Sequence, residues 1–352
     1  MSSLQRVSRN LLNRQPADTK LFSLPLLSPI GLAIALLVLL LIFISNLAFG
    51  AANIPLEEVT RAFFANENST EHLIIRTVRL PRSLIAMFVG AALAVSGAIM
   101  QGITRNPLAS PSILGVNAGA SLAVVAATFL LKGGGLNLYV WFAFLGATVT
   151  AVTVYVLGSL GRGGLTPINL TIAGAALTAF LSSLTSGMLI ISQQTLDQIR
   201  FWLAGSLAGR DLDLFLQVLP YFGIGLLLAL VLGRQLTMLS LGEDVAKGLG
   251  QRTVLVKILA AVSVVLLSGS SVAIAGPIGF IGLVVPHITR VLIGVDYRWL
   301  LPYGAIFGSI LLLLADLSAR LVFQPQEIPV GLVMPLIGAP FFIHLVRSNV
   351  KQ

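Results

Sequence analysis

The chain has 352 residues, 56% of them hydrophobic and only 10% charged, with a mean hydropathy of +0.96. A soluble domain carries about 25% charged residues, so this composition cannot cover a water-facing surface and marks an integral membrane protein. The net charge of +9 is what basic cytoplasmic loops leave behind rather than a nucleic-acid footprint, and the lack of cysteine excludes disulfides and thiolate metal sites.

Charge-free runs exceed the ~20 residues a spanning helix needs, whereas a barrel would give short alternating segments. The spans are therefore helices. Residues 1–26 carry Arg6, Arg9, Arg14 and Lys20 and read as a basic cytoplasmic tail. The apolar run at 27–50 is too long for a signal-peptide core and forms an uncleaved first span. Residues 51–82, with Glu57, Glu58, Glu67 and Glu71 and the arginines Arg76, Arg79 and Arg82, then lie outside. Spans follow at 83–104 and 112–131, the latter opening on a small-residue stretch suited to close helix contact. Lys132 and a glycine triplet turn the chain outside, 138–160 returns it, and Arg162 marks the inner turn. The fifth span lies within 167–191 and is rich in Ala, Gly, Ser and Thr. Beyond it, Ile199, Trp202, Leu203 and Leu207 predict an amphipathic helix lying in the membrane interface.

After a sixth span at 214–233 comes a charged interruption, 234–252, flanked by spans on both sides. Its centre, Leu241, Gly242, Glu243, Asp244, Val245, Ala246, Lys247, Gly248, Leu249 and Gly250, reads as a short helix with acids at its start and glycines at its end, in accord with the helix dipole. A loop of this size on the inner side docks a soluble partner. Residues 258–289 are free of charge and contain Gly276-Pro277. One long span or two short ones would fit that length. The basic residues on both flanks, Arg252, Lys257, Arg290 and Arg298, all prefer the cytoplasm, so the chain leaves and returns. The return leg, 276–290, is short for a simple span and requires irregular backbone buried in protein or lining a polar cavity; Gly276, Pro277, Gly279 and Gly282 fit that need. A ninth span at 299–322 carries Asp316 and Arg320 near its outer end, and a tenth at 328–346 brings His344, Arg347 and Lys351 inside. The fold class is thus all-α, with about ten transmembrane helices in a single permease domain over 27–347, a short cytoplasmic tail at 348–352 and both termini inside.

No G-x-x-x-x-G-K-[ST] pattern occurs, so the chain does not bind ATP by that means, and any energy comes from another subunit. No ionisable residue falls at the centre of a span, which argues against proton or voltage coupling. His72, His287 and His344 stand singly; no metal site, catalytic constellation or bound cofactor is expected. Arg79, Arg82 and Arg320 sit at outer membrane edges. They either snorkel to headgroups or form an outward basic rim for an extracytoplasmic protein, and Asp316 and Glu327 are acids near enough to hold Arg320 instead. An ATPase-independent secondary transporter is the competing class, but it leaves the cytoplasmic loop without a role; an ATPase that co-purifies with the chain discriminates.

Several stretches together resemble one family over nearly the whole chain: Arg79-Leu80-Pro81-Arg82, the run GAALAVSGAIMQGITRNPLASPSILGVNAGA from Gly90, LGEDVAKGLG from Leu241, GPIGFIGLVVPHITR from Gly276, and LLLLADLSAR followed by EIPVG and a GAP at Gly338. The chain is similar to the permeases of ABC importers for iron-siderophores, haem and cobalamin. The resemblance implies a ten-span importer permease of type II fold in the bacterial inner membrane. It also implies pairing with a second permease, as homodimer or heterodimer, around a path lined by the fifth span, with two ABC ATPases below and a substrate-binding protein above. In that family the loop between the sixth and seventh spans fits the ATPase, which assigns Leu241, Gly242, Glu243, Asp244, Ala246, Lys247, Gly248 and Gly250 to coupling. Arg79, Arg82 and Arg320 match the family's docking pattern for acids on the binding protein. A ferric siderophore or ferric citrate-like chelate is the expected cargo by family frequency, with cobalamin and haem as alternatives.

Overall fold

The computed structural model describes residues 29–50, 54–64, 69–132, 135–160, 166–322 and 327–349. The basic N-terminal tail, the Arg162 turn and Lys351 lie outside these residues. Among the described residues the chain is helical throughout: α1 (Pro29–Ala48), α2 (Leu56–Phe64), α3 (Thr70–Ile74), α4 (Leu80–Thr104), α5 (Val116–Leu131), α6 (Leu136–Ser159), α7 (Pro167–Ile191), α8 (Gln193–Leu203), α9 (Leu212–Val231), α10 (Gly233–Leu241), α11 (Glu243–Gly248), α12 (Thr253–Ala275), α13 (Ile281–Ile293), α14 (Tyr297–Val322) and α15 (Val330–Asn349). Seven helices are long and apolar enough to cross a membrane, and α5, α13 and α15 are shorter apolar helices; together they match the ten expected spans in order.

Two expected boundaries move. The second span begins well before Ser83, because α3 runs through a wide π turn at Ile75–Arg79 directly into α4. Arg76 and Arg79 can sit in this helix because their guanidinium groups find backbone carbonyls, Arg76 that of Ala62 and Arg79 those of Leu47 and Ala48. The segment after α7 is helical as expected, but Ile199, Trp202 and Leu207 are buried in the protein's own core, so its apolar face packs inward and does not lie in the interface.

α4 is the centre of the packing. It touches α14, α12, α13, α9 and α1, and nearly all of its length from Val89 to Gly102 is buried. In lipid, helices gain little from hiding apolar side chains from each other, so close van der Waals contact between small residues does the work. A Cβ on Gly90 would strike the backbone of Gly308 on α14, and one on Gly97 would strike that of Gly282 on α13. Gly119 and Gly146 bring α5 and α6 together in the same way. α7 is the opposite case: of its side chains only Leu170, Gly174 and Thr185 are buried, and Thr171, Ala175, Ala179, Ser182 and Ser183 face outward.

Tertiary contacts separate the two sides of the membrane as the basic residues predicted. Thr104, Thr166, Glu243 and Lys257 gather around one cleft, and Thr237 bonds Asp296. At the other end Arg82, Leu136, Gln198 and Glu327 share another. Gly90→Val should therefore force α4 and α14 apart at a cost of about 1–3 kcal/mol, read as a lowered midpoint of thermal unfolding in detergent, whereas Gly304→Ala, at a buried glycine with open space around it, should leave the midpoint unchanged.

Candidate functional site

Three places carry the residues singled out from sequence. On the inner side, residues 234–252 form a helix-turn-helix: α10 ends at Gly242, whose positive φ of 132° turns the chain, and α11 begins at Glu243. Glu243 accepts from Lys257 on α12 at 2.6 Å and pairs with Lys247 at 3.2 Å. These contacts, Lys257 first, hold its carboxyl down at about 2 against the opposing effect of desolvation. The short helix is thereby tied to the first turns of α12. Ala246 faces the protein and is buried, while Asp244, Lys247, Gly248 and Gly250 are exposed. Leu241, Val245 and Leu249 are also exposed, at 66, 49 and 62%. Val245 and Leu249, one turn apart on α11 and its cap, lie along one side of that helix, and Leu241 stands just before the turn at Gly242. Val245 and Leu249 were not among the residues picked from sequence, although the i, i+4 apolar spacing inside a charged loop was there to be seen.

On the outer side, the three arginines do not form an exposed rim. Arg79, Arg82 and Arg320 are all buried. Arg82 on α4 donates through Nε to both oxygens of Asp316 at 3.0 and 3.1 Å, and its Nη1 reaches Glu327 at 2.6 Å. Arg320 pairs with the same Asp316 at 3.2 Å, one turn earlier on α14. It also donates to the Asn46 side chain and to the Phe49 carbonyl. Arg79 caps the C-terminal carbonyls of α1 at 2.7 and 2.8 Å, where the helix dipole is negative. The charges are inside because each guanidinium meets a carboxylate or a helix end, the condition on which buried charge is tolerated. Of the two acids that sequence placed nearby, Asp316 is shared by Arg82 and Arg320, and Glu327 belongs to Arg82.

The third place is the break between α12 and α13. α12 ends at Gly276 with φ 73°, and Phe280 also has positive φ before α13 begins. α12 runs from the level of Thr104, beside Lys257, to that of Leu93, beside Ser268. α13 runs back, with Gly282 against Gly97 and Arg290 bonded to Gln101. The short return leg is present as α13, of 13 residues. Gly276 admits no side chain, because a Cβ would meet the Trp202 carbonyl. Gly282 is pressed against α4, whereas Gly279 has open space and Pro277 lies half-buried beside Gly205. The break lines a cavity of about 260 Å³ with Ser110, Ser112, Asn117 and Ser268, polar residues that sequence reading passed over. The break, the end of α8 and the start of α15 meet at one junction, where the Gly331 N–H donates to the Gly205 carbonyl at 2.9 Å. Among the described residues no cluster of His, Asp and Glu could hold a metal ion.

Residues 36–348 match the model of the FecCD transport family. The chain is 48% identical to the "Probable siderophore transport system permease protein YfiZ" of Bacillus subtilis, over 92% of this chain and 97% of that protein. It is 46% identical to the Fe(3+)-citrate import system permease protein YfmD of the same organism, over 86% and 90%. It is 43% identical to the ferric enterobactin transport system permease protein FepD of Escherichia coli, over 91% and 96%. A solved chain described as of the metal-chelate ABC transporter type, in an inward-facing conformation, superposes with a TM-score of 0.80 at 32% identity, covering 91% of this chain and all of that one.

Removing the shared carboxylate with Asp316→Asn leaves buried Arg320 without a counter-ion and Arg82 with Glu327 alone, and the fold should lose about 3–5 kcal/mol, seen as a lower unfolding midpoint in detergent. Because the Glu243 carboxyl is depressed from 4.5 to about 2, the tie from α11 to α12 is fully present above about pH 4.5 and lost only as pH falls toward 2. Amide exchange in α11, corrected for its intrinsic rate, should be flat from pH 8 to pH 5, and Glu243→Gln should speed it roughly two- to fivefold at neutral pH.

Proposed function

The chain belongs to the FecCD transport family, and on that premise we propose that it is the permease subunit of a binding-protein-dependent ABC importer carrying a ferric siderophore or ferric citrate-like chelate into the cytoplasm. The observation that carries this reading is the exposure of three aliphatic side chains, Leu241, Val245 and Leu249, within nine residues of the cytoplasmic helix-turn-helix. Such exposure in water marks a surface that a partner covers, and the partner of a transport subunit without a nucleotide motif is a separate ATPase. A docked ATPase would push on α11, and Glu243 to Lys257 passes that push to α12. Twenty-three residues of α12 span about 35 Å, from the coupling helix to the junction of Gly276, Trp202 and Gly205. We read α12 as the rod through which ATP closure on the inside moves the outer junction.

The open face of α7 supports a path formed between two permease copies. Its small, weakly polar side chains would line that path, and a lining without strong donors lets a bulky chelate pass without being gripped. The partners in this reading are a second permease, identical or related, two ATPases and an extracytoplasmic binding protein. Because Arg79, Arg82 and Arg320 are held internally, their part in docking the binding protein is to brace the outer ends of α1, α4 and α14 against it, with half-exposed Glu327 as the point where Arg82 reaches the surface.

Val245→Asp together with Leu249→Asp should insert normally yet lower ATP-driven uptake in proteoliposomes by about tenfold or more, given the burial energy of two aliphatic side chains, and should release the ATPase during purification. Full uptake with a tightly held ATPase would refute the docking surface.

A further inference from the structure

A cavity of about 390 Å³ opens on the outer side between the start of α6, helix α8 with the loop that follows it, and residues 327–329. Two of its lining residues carry buried N–H donors with no acceptor: Nε of Arg210, a residue only 7% exposed, and Nε1 of Trp202, 3% exposed. Arg210 forms no ion pair among the described residues. The adjacent acid, Asp211, spends its Oδ1 on the N–H of Leu214 as the N-cap of α9. Burial lowers the Arg210 guanidinium to about 10, with Asp211 countering only in part, so it remains cationic at neutral pH. Buried charges are otherwise paired in proteins, and Arg82, which lines the same cavity, obeys that rule through Asp316 and Glu327. The walls of the cavity carry the rings of Tyr139, Phe201 and Trp202, with Gln198 and Ser206 as further polar groups; among the described residues the one carboxylate in the lining, Glu327, is paired with Arg82 at 2.6 Å, which leaves Arg210 as the cation without a partner acid. An organic anion fits such a site better than a hydrated inorganic one, since the rings take its carbon skeleton while the guanidinium edge takes a carboxylate through two parallel N–H bonds.

We propose that this cavity is a carboxylate-binding site for the cargo: Arg210 and Trp202 receive a carboxylate of an anionic ferric chelate at the outer mouth of the permease. The proposal rests on the transport reading and narrows its substrate class to chelates that carry free carboxylates. The site is also wired to the moving part, because the Trp202 carbonyl packs against Gly276 at the end of α12. Occupation by the cargo is therefore felt at the helix break.

The test uses the full chain in phosphatidylcholine nanodiscs without ATPase, with Trp141 and Trp299 replaced by Phe so that Trp202 alone reports. Citrate should shift the Trp202 fluorescence in a saturable, salt-weakened manner. Arg210→Gln should weaken citrate by about ten- to hundredfold, the loss of a charged hydrogen-bond donor, and Arg210→Lys should recover only part of the affinity because an ammonium cannot present the bidentate edge. Equal citrate affinity in the wild type and Arg210→Gln, or no response to citrate in either, overturns the site. Loss of the citrate response when phosphatidylglycerol replaces phosphatidylcholine, in the wild type but not in Arg210→Lys, assigns the cavity to a lipid headgroup and overturns the cargo assignment. In the assembled importer, Arg210→Gln should impair uptake of a carboxylate-bearing ferric chelate and spare a neutral ferric hydroxamate. Uptake of both chelates unimpaired by the substitution defeats the carboxylate site alone, whereas a wild-type assembly that takes up no chelate defeats the permease reading.

Discussion

A carboxylate out of reach of water must find cations, and the outer half of this protein is arranged around one that finds two. Asp316 lies on α14, takes Arg82 from α4 and Arg320 from its own helix, and through Arg320 reaches Asn46 at the end of α1. Among the described residues Arg320 has no other carboxylate, Arg82 has only half-exposed Glu327 besides, and through the two arginines the end of α1 and the segment at Glu327 are tied to α4 and α14. Coulomb attraction is strong where the dielectric is low, but so is the penalty for an unmatched charge. The outer ends of α1, α4 and α14 are consequently held as a unit.

The glycine contacts along α4 solve the complementary problem in the middle of the membrane, where no charge is available. Gly90 on Gly308 brings α14 against α4, and Gly97 on Gly282 brings the backbones so close that α13 fits beside α4 despite having only 13 residues. A helix of that length cannot cross the bilayer by itself. It is tolerated because the irregular residues before it, Gly276 to Phe280, lie within protein and beside a polar cavity, so their backbone groups are never offered to lipid.

Much of this was legible from the residues. Span number and order follow from runs without charge, and the break follows from Gly276-Pro277 together with basic residues on both flanks. The short helix α11 follows from its acids and glycines. Other features depend on contacts between distant parts of the chain, which a linear pattern does not contain. Charge counting began the second span at Ser83 because it could not know that Arg76 and Arg79 would find carbonyls of α1 and α2. The arginines looked like a rim because the sequence separates Arg82 from Asp316 by more than two hundred residues. The amphipathic face of α8 was assigned to lipid because Ile199 and Trp202 would look the same whether a headgroup or a helix covered them. Arg210 drew no notice, since a lone arginine in a loop is ordinary until its burial is known.

The mechanical consequence follows from where the rigid and irregular parts lie. Helices transmit displacement along their axes with little loss, whereas segments without regular hydrogen bonds can change direction. α12 is regular from Thr253 to Ala275 and bound at one end to α11 by Lys257; at the other it stops in a glycine of positive φ against Trp202. Movement delivered at the inner end has one compliant place to go, the junction shared by Gly276, Gly205 and Gly331. The neighbouring brace of Asp316 does not yield, because separating its charges would cost more than rotating a few glycine dihedrals. The outer opening is thus expected to change at the junction, with the arginine cluster as the fixed frame around it.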